Sequence, residues 1–262
     1  MYFELNQQRV FCSTGNGILS EDKPSVIFLH GAGMEHSVWV LPARYFARQG
    51  YNVFALDLPG HGRSEGLALD NISCMSEWLH EVIHALNLSK PAIVGHSMGS
   101  LIALSFAAKY SDSLRALALL GISIPMPVAE PLLQAARDNS HVAIDIANTW
   151  SHSSSAQLGG NDVPGINMLM SGQRLLERNS DGVFYSDLKA CNKFTDALGL
   201  AENVSVKTLM IIGEQDKMTA ASNARKVAGK IRNCSVTSLK ACGHAMLSEQ
   251  PNAVLNALIT IV

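Results

Sequence analysis

One serine stands in a pattern that is typical of enzymatic nucleophiles. Residues 95–99 read GHSMG, so that Ser97 follows the short apolar run 92–94 and precedes a helix-like stretch at 98–110. A serine nucleophile must project from a sharp strand-to-helix turn, and glycines two residues away leave room for that turn. The pattern predicts that Ser97 is a nucleophile. The alternative is an ordinary glycine-rich turn that contains a serine. The presence of a base and an acid elsewhere in the sequence decides between the two.

A serine hydroxyl needs a base, and the base needs a third group to orient it. In an arrangement of this kind the acid and then the histidine follow the serine along the chain. His244, the last histidine, comes after the strand-like run 236–239 and is the predicted base. The run 209–213 leads into a turn that offers two carboxylates, Glu214 and Asp216. We favour Asp216, because a Gly-x-x-Asp turn puts it clear of the strand end.

Acyl transfer also requires hydrogen-bond donors for the negative charge that develops on the carbonyl oxygen. Residues 30–33 read HGAG directly after the apolar run 26–29, and glycines let such a loop come close and turn its N–H groups inward. We expect one donor from the loop 31–33 and the other from the backbone N–H of Met98, at the start of a helix. Taken alone, the loop is equally compatible with a tight structural turn.

Short apolar runs alternate with helix-like stretches along most of the chain. Five runs bounded by Gly, Pro, Asp or Ser predict strands buried on both faces of a parallel sheet, at 26–30, 52–56, 92–95, 114–120 and 208–213. Apolar residues with helical spacing predict helices at 38–49, 72–88 and 98–110. This alternation indicates an α/β fold with right-handed crossovers. Residues 3–5 and 10–13 are expected to form an antiparallel hairpin at the sheet edge.

The strand rhythm is interrupted in the middle of the chain. Pro125, Pro127 and Pro131 follow an apolar strand closely, and proline blocks regular strand pairing. From 123 to 190 the sequence is helix-like and loop-like, and strands resume at 206. We therefore predict that 123–190 is an insertion that covers the carboxyl edge of the sheet, where α/β proteins bind ligands.

The motifs together resemble the α/β-hydrolase superfamily. In chain order they are HGAG at 30–33, DLPGHGRS at 57–64, GHSMG at 95–99, GEQD at 213–216 and GH at 243–244. The resemblance implies a mostly parallel eight-stranded sheet flanked by helices, a core made of 1–122 and 191–262, and a helical cap at 123–190. It also implies that the loop 57–64, with Asp57 and His61, is a hydrogen-bonded structural turn.

The resemblance further assigns the catalytic groups. It implies a triad of Ser97, Asp216 and His244, with the N–H groups of Ala32 and Met98 as the oxyanion hole. It is a weak guide to the substrate, because one fold hosts many chemistries. Apolar residues of the loop after His30 or of the cap are the candidates for the substrate pocket, namely Met34, Trp39, Met126, Trp150 and Met168.

A second motif has to be weighed against these. Residues 80–84 read HEVIH and match the H-E-x-x-H signature of zinc proteases. Helical geometry turns His80, Glu81 and His84 away from the apolar stripe of the helix, and no third ligand follows at 86–88, which read LNL. We predict no metal site and no cofactor.

Composition excludes several classes of protein. The chain has 262 residues, 47% hydrophobic and 16% charged, with a net charge of −2. A disordered chain lacks that apolar content, and a nucleic-acid-binding surface would need a basic excess. No apolar run is long enough to span a membrane, no secretory signal is recognisable, and five scattered cysteines form no disulfide framework. We expect a cytoplasmic protein that needs neither nucleic acid nor membrane, with an undetermined oligomeric state.

The expected function is that of a carboxylesterase-like serine hydrolase. Its partner would be a small-molecule ester or thioester, cleaved through an acyl-serine intermediate. One alternative is hydrolysis of a carbon–carbon bond by the same triad, which needs polar cap residues such as Asn161, Asp162 or Arg174 near the scissile bond. Another is a ligand-sensing receptor that hydrolyses its ligand slowly.

Overall fold

The computed structural model describes residues 1–160, 165–195 and 197–262. In these residues the α/β prediction is confirmed, with a mostly parallel sheet of eight strands flanked by helices. The strands are β1 (Tyr2–Leu5), β2 (Gln8–Ser13), β3 (Ser25–Leu29), β4 (Asn52–Leu56), β5 (Ala92–His96), β6 (Ala116–Leu120), β7 (Thr208–Gly213) and β8 (Cys234–Leu239).

The helices fill the intervals between the strands. They are α1 (Val40–Arg48), α2 (Ile72–Ala85), α3 (Met98–Tyr110), α4 (Glu130–Arg137), α5 (His141–Ser151), α6 (Ser154–Gln157), α7 (Met168–Leu176), α8 (Val183–Lys193), α9 (Ala221–Ala228), α10 (Met246–Glu249) and α11 (Pro251–Ile259). Three short 3₁₀ turns in the described residues lie at His36–Trp39, Ser111–Ser113 and Leu198–Asn203.

The strand order is β1-β2-β4-β3-β5-β6-β7-β8. β1 and β2 form the predicted antiparallel edge hairpin, and β2 also pairs antiparallel with β4. The pairs from β4 to β8 are parallel, so that the carboxyl ends of β3, β5, β6, β7 and β8 lie along one edge. All the candidate catalytic motifs follow these ends. The sheet topology therefore gathers them at one edge.

The sheet is covered on both faces, because side chains of a strand alternate between its two sides. In β3, Ile27 belongs to an apolar cluster with helices α2 and α3, whereas Val26 and Phe28 belong to a second cluster with α1 and α11. The five parallel central strands have almost no exposed residues, which explains why they read as continuous apolar runs rather than as an alternating pattern.

Element ends differ from the predictions by a few residues. The helix predicted at 72–88 ends at Ala85, and the one predicted at 38–49 begins as a 3₁₀ turn before α1. Helices α4 to α8 occupy the interval between β6 and β7, where the insertion is predicted. The last of them, α8, runs through position 190 to Lys193, so the predicted boundary falls within a helix. None of the helices in the described ranges has the length and apolar character that crossing a membrane requires.

Candidate active site

Ser97 occupies the turn between β5 and α3 with a strained backbone. Its φ is +54° and its ψ is −119°, a conformation that L-residues rarely adopt. The glycines on either side are required by contact: a Cβ on Gly95 would overlap the carbonyl of Gly99, and a Cβ on Gly99 would overlap the carbonyl of Leu29. The backbone N–H of Ser97 donates to the Leu120 carbonyl at 2.9 Å, which ties the turn to the neighbouring strand.

The acid and the base meet at the ends of β7 and β8. His244 Nδ1 lies 2.8 Å from Asp216 Oδ2, and both residues are buried. The Thr219 hydroxyl donates to the same carboxylate oxygen at 2.6 Å. The other oxygen, Oδ1, accepts the backbone N–H groups of Met218 at 2.8 Å and Thr219 at 2.7 Å. A carboxylate accepts at both oxygens, so His244 donates from Nδ1 and its Nε2 is left as a proton acceptor.

These contacts also settle the charge of the carboxylate. Burial opposes the ionisation of Asp216, but His244 and the bonds from Thr219 outweigh it and hold the pKa below its ordinary value. The competing carboxylate, Glu214, is exposed and forms an ion pair with Arg225 on the surface. The structure therefore brings Asp216, and not Glu214, to the histidine.

Two neighbouring residues, Gly121 and His96, hold the loop that carries His244. A Cβ on Gly121, the residue after β6, would come within 3.1 Å of the His244 ring. His96 Nε2 donates to the His244 carbonyl oxygen at 2.9 Å. Burial and the neighbouring His244 lower the pKa of His96 to about 3, so that His96 is a neutral donor. The glycine and the neutral histidine thus fix the loop that carries the base.

Ser97 and His244 face a common cavity of about 150 Å³. In the described part of the chain no hydrogen bond joins the Ser97 hydroxyl to His244, and such catalytic bonds often tighten only when substrate is bound. Ala32 lines the same cavity. Met98 is the first residue of α3, and the first N–H groups of a helix have no partner within the helix. The cavity therefore combines a serine, a histidine and one candidate oxyanion donor, Ala32, while the second candidate, Met98, follows Ser97 directly in the chain.

The predicted pocket residues separate into three groups. Met34, Met126 and Trp150 line the cavity that contains Ser97. Met168 lines a neighbouring cavity of about 400 Å³ instead. Trp39 lines neither, and for this residue the prediction is wrong. It is fully buried against Phe28 in the core under the sheet, because the turn that carries it packs on β3 and β4.

The two cavities meet at His244. Met34, His96, Ser151, Leu176 and His244 line both, whereas Ser97 lines only the smaller one. The larger cavity also has polar walls, to which Ser37, Asn148, Ser171, Arg174 and Arg178 contribute. The arrangement provides a smaller chamber on the side of the serine and a larger chamber on the side of the histidine, both with mainly apolar walls.

Three residues that support the candidate site were not predicted from the sequence. Thr219 supports Asp216, and its position three residues after the acid was the available signal. His96 supports His244, although it occupies the variable position of the GHSMG motif. Asp187, in α8, contacts the loop after β3 through a separation of 154 residues, which no local pattern could indicate.

Two clusters of possible metal ligands have other partners. The Nε2 atoms of His80 and His84 lie 3.1 Å apart on the outside of α2, and His80 stacks on Tyr110. Across residues 1–160, 165–195 and 197–262 the only group of three potential ligands is Glu35, His36 and Asp57. Asp57 accepts the backbone N–H and Nδ1 of His36 at 2.7 and 2.9 Å, so it is the hydrogen-bonded loop residue that the resemblance implies.

Comparison with known proteins shows the fold family of the chain. A family model described as alpha/beta hydrolase fold matches residues 24–251. An (E)-2-((N-methylformamido)methylene)succinate hydrolase of Acinetobacter baylyi is 40% identical over 101 residues, which are 38% of this chain and 38% of that protein. Monoacylglycerol lipase abhd6-B of Xenopus laevis is 26% identical over 256 residues, 92% of this chain and 75% of the relative.

Solved structures share the whole fold. The enol-lactonase from Burkholderia xenovorans LB400 has a TM-score of 0.87 at 18% identity and covers 99% of this chain and 98% of its own. An esterase from Exiguobacterium antarcticum has a TM-score of 0.83 at 18% identity, over 97% and 95% of the two chains. At such identities the likeness concerns the fold.

Proposed function

The chain belongs to the α/β-hydrolase fold family, and on that premise we propose that it is a serine hydrolase that cleaves small carboxylic esters or thioesters through an acyl-Ser97 intermediate. The observation that carries the proposal is the buried bond of 2.8 Å between His244 Nδ1 and Asp216, beside a cavity that Ser97 also lines. A histidine held in this tautomer by an ionised carboxylate is a base for a serine hydroxyl.

The mechanism follows from these contacts. His244 Nε2 takes the proton of the Ser97 hydroxyl as its oxygen attacks the carbonyl carbon of the ester. Asp216 stabilises the resulting imidazolium, and the N–H groups of Ala32 and Met98 stabilise the oxyanion. His244 then gives the proton to the departing alcohol or thiol. A water molecule, activated by the same nitrogen, releases the acid and regenerates Ser97.

The cavity supports a short acyl group. The chamber of about 150 Å³ beside Ser97 has apolar walls, including Met126, Leu132 and Trp150. The chamber of about 400 Å³ on the side of His244 is suited to the leaving group, because His244 must reach the leaving oxygen. Relatives that are named as an esterase, an enol-lactonase and a monoacylglycerol lipase support the choice of an ester bond.

We also propose that residues 123–190, as predicted, act as a cap over the site, since most of the apolar walls of the smaller chamber belong to this segment. Cys12, Cys74, Cys191 and Cys234 are free thiols, and we propose a reducing compartment such as the cytoplasm, where such thiols persist.

The two alternative functions have less support. Of the polar residues that carbon–carbon hydrolysis would need, Asn161 and Asp162 lie outside the described residues, and Arg174 is 71% exposed and paired with Glu177. Cleavage of a vinylogous diketone without turnover of any ester would favour that reaction. Slow single turnover with a large rise in melting temperature would favour a sensor.

The test is a panel of p-nitrophenyl esters and matching thioesters of increasing acyl length, with Ser97→Ala as the blank. We expect activity to be highest for short acyl groups and to fall as the chain outgrows the smaller chamber. Full activity in Ser97→Ala would refute the nucleophile. A preference for long acyl chains would refute the assignment of the chambers.

A further inference from the structure

The glycine that follows Ala32 is held at both of its polar atoms by the segment between β6 and β7. The N–H of Gly33 donates to Asp187 Oδ2 at 2.8 Å. The carbonyl oxygen of Gly33 accepts from Asn179 Nδ2 at 2.6 Å. Asp187 lies in α8, and Asn179 lies in the turn that precedes this helix. The loop after β3 is thus bound from above by two side chains that are more than 140 residues away in the sequence.

Gly33 has a backbone conformation that favours glycine over other residues. Its φ is +64°, and a Cβ at this position would collide with Phe184 and Leu176, so a stiffer residue cannot replace it. A glycine can also adopt other backbone conformations easily, so contacts from outside the loop are needed to hold it in this one. Two hydrogen bonds fix the peptide planes on either side of Gly33. The first of these planes joins Ala32 to Gly33, and the Met34 N–H closes the same turn on the Gly31 carbonyl at 3.1 Å, so Ala32 is held between the two constraints.

Asp187 is prepared for this role by a second contact. Its side chain is completely buried, and Oδ2 lies 2.8 Å from Nε2 of His61. The other ring nitrogen of His61 lies 3.0 Å from the carbonyl oxygen of Pro59. Both partners offer oxygen atoms that can accept, which favours the positively charged form of His61, with a proton on both nitrogens. Burial opposes that charge, but Asp187 outweighs it and raises the pKa of His61. Oδ2 of Asp187 therefore contacts both His61 and the Gly33 N–H and links the two.

From these contacts we propose that Asp187 and Asn179 are positioning residues for the oxyanion hole: they hold Gly33 so that the N–H of Ala32 faces the oxygen of the tetrahedral intermediate. The proposal rests on the proposed function, since it concerns the same site. On this view the helical segment above the sheet is more than a wall of the substrate cavity. It also completes the catalytic machinery of the core.

The test compares four variants with the wild type on a short-chain ester. Asp187→Ala and Asn179→Ala each remove one bond to Gly33. Asp187→Asn keeps an oxygen that can accept the Gly33 N–H and serves as the conservative rescue. The matched control is Lys189→Met, two residues further along the same helix, which removes an exposed ion pair of 2.9 Å between α8 and Asp70 without touching the loop.

We expect Asp187→Ala and Asn179→Ala to lower kcat about 10- to 100-fold, because misplacement of a catalytic group by about 1 Å has effects of that size. KM should change less than threefold on this reasoning, since the oxyanion forms only in the transition state. Asp187→Asn should recover most of kcat, and Lys189→Met should match the wild type. Affinity for an alkylboronic acid, which forms a tetrahedral adduct with serine, should fall in parallel with kcat.

Folded Asp187→Ala and Asn179→Ala enzymes with wild-type kcat would overturn the proposal, as would an equal loss in Lys189→Met. If Asp187→Ala does not fold, Asn179→Ala decides, with wild-type kcat and boronate affinity counting against the proposal. Failure of the proposed function is distinguishable, because it would show as ester turnover that persists in Ser97→Ala.

Discussion

Replacement of Asp216 by asparagine tests the candidate triad with the smallest change of shape. In the wild type, Oδ1 accepts two backbone N–H groups, from Met218 and Thr219, and Oδ2 accepts from the Thr219 hydroxyl and from His244 Nδ1. An amide has only one oxygen. If that oxygen keeps the backbone bonds, the NH₂ group faces His244, which must then accept at Nδ1 and carry its proton on Nε2. That tautomer cannot take a proton from Ser97.

The opposite orientation of the amide is less favourable. The NH₂ group would then face the N–H groups of Met218 and Thr219, at positions where the acceptor now lies 2.7 to 2.8 Å from each donor. Two donors would lose their acceptor, at a cost of about 1–3 kcal/mol for the buried Thr219 N–H and less for the partly buried Met218 N–H. The first orientation is therefore favoured. The same exchange in a serine protease triad lowers kcat about 10⁴-fold, which is about 5 kcal/mol of transition-state stabilisation.

We therefore expect Asp216→Asn to lower kcat by about 10³- to 10⁴-fold while the protein stays folded. The assay is steady-state hydrolysis of a short-chain p-nitrophenyl ester, with circular dichroism melting as the check on folding. Glu214→Gln is the matched control, since it removes the same charge two residues away, where Glu214 only pairs with Arg225 on the surface. A folded Asp216→Asn enzyme with more than a tenth of wild-type kcat would refute the role of this carboxylate.

Three further predictions concern the turn, the support of the acid and the pH dependence. Gly99→Ala should destabilise the fold by several kcal/mol, on the order of an overpacked core, because its methyl group would overlap the Leu29 carbonyl; Gly199→Ala, which has open space around the new methyl group, should unfold in urea like the wild type. Thr219→Val should lower kcat about tenfold, since hydrogen bonds to charged groups contribute roughly 1.5–3 kcal/mol; unchanged kinetics would contradict this. His96 has a folded pKa of about 3, below its unfolded value, so the unfolded chain binds more protons as the pH falls. Its contribution to the free energy of unfolding is complete above about pH 6.5 and decreases by up to about 1.4 kcal/mol per pH unit below it. The check is urea unfolding at a series of pH values: if the free energy of unfolding of His96→Asn falls with pH as steeply as that of the wild type, the assignment is contradicted.

The parallel strands and the nucleophile turn were predictable because their signals are local. Strands β4 and β7 were predicted with their observed ends, since a strand buried on both faces is a short apolar run with polar or glycine boundaries. Helix α3 was also predicted with its observed ends, and it begins directly after Ser97. The pairing of Asp216 with His244 followed from chain order and a turn motif, and the structure brings those two side chains together.

The cavity and its supports were less predictable because they depend on distant contacts. Trp39 looked like a pocket residue from its place in the loop after β3, but its ring packs on Phe28 under the sheet. Asp187 belongs to none of the motifs, yet it is buried between Gly33 and His61. Neither outcome has a sequence period or a turn signal. They arise from how helix α8 and the loop after β3 meet in three dimensions.

The most direct test of the central claim is intact-protein and peptide mass spectrometry after rapid mixing with a short-chain p-nitrophenyl ester and an acid quench. The account predicts a burst of p-nitrophenol close to one equivalent of enzyme, an added acyl mass on the peptide that contains Ser97, and neither signal in Ser97→Ala. Acylation of another residue with Ser97 unmodified, or ester hydrolysis that continues undiminished in Ser97→Ala, would contradict it.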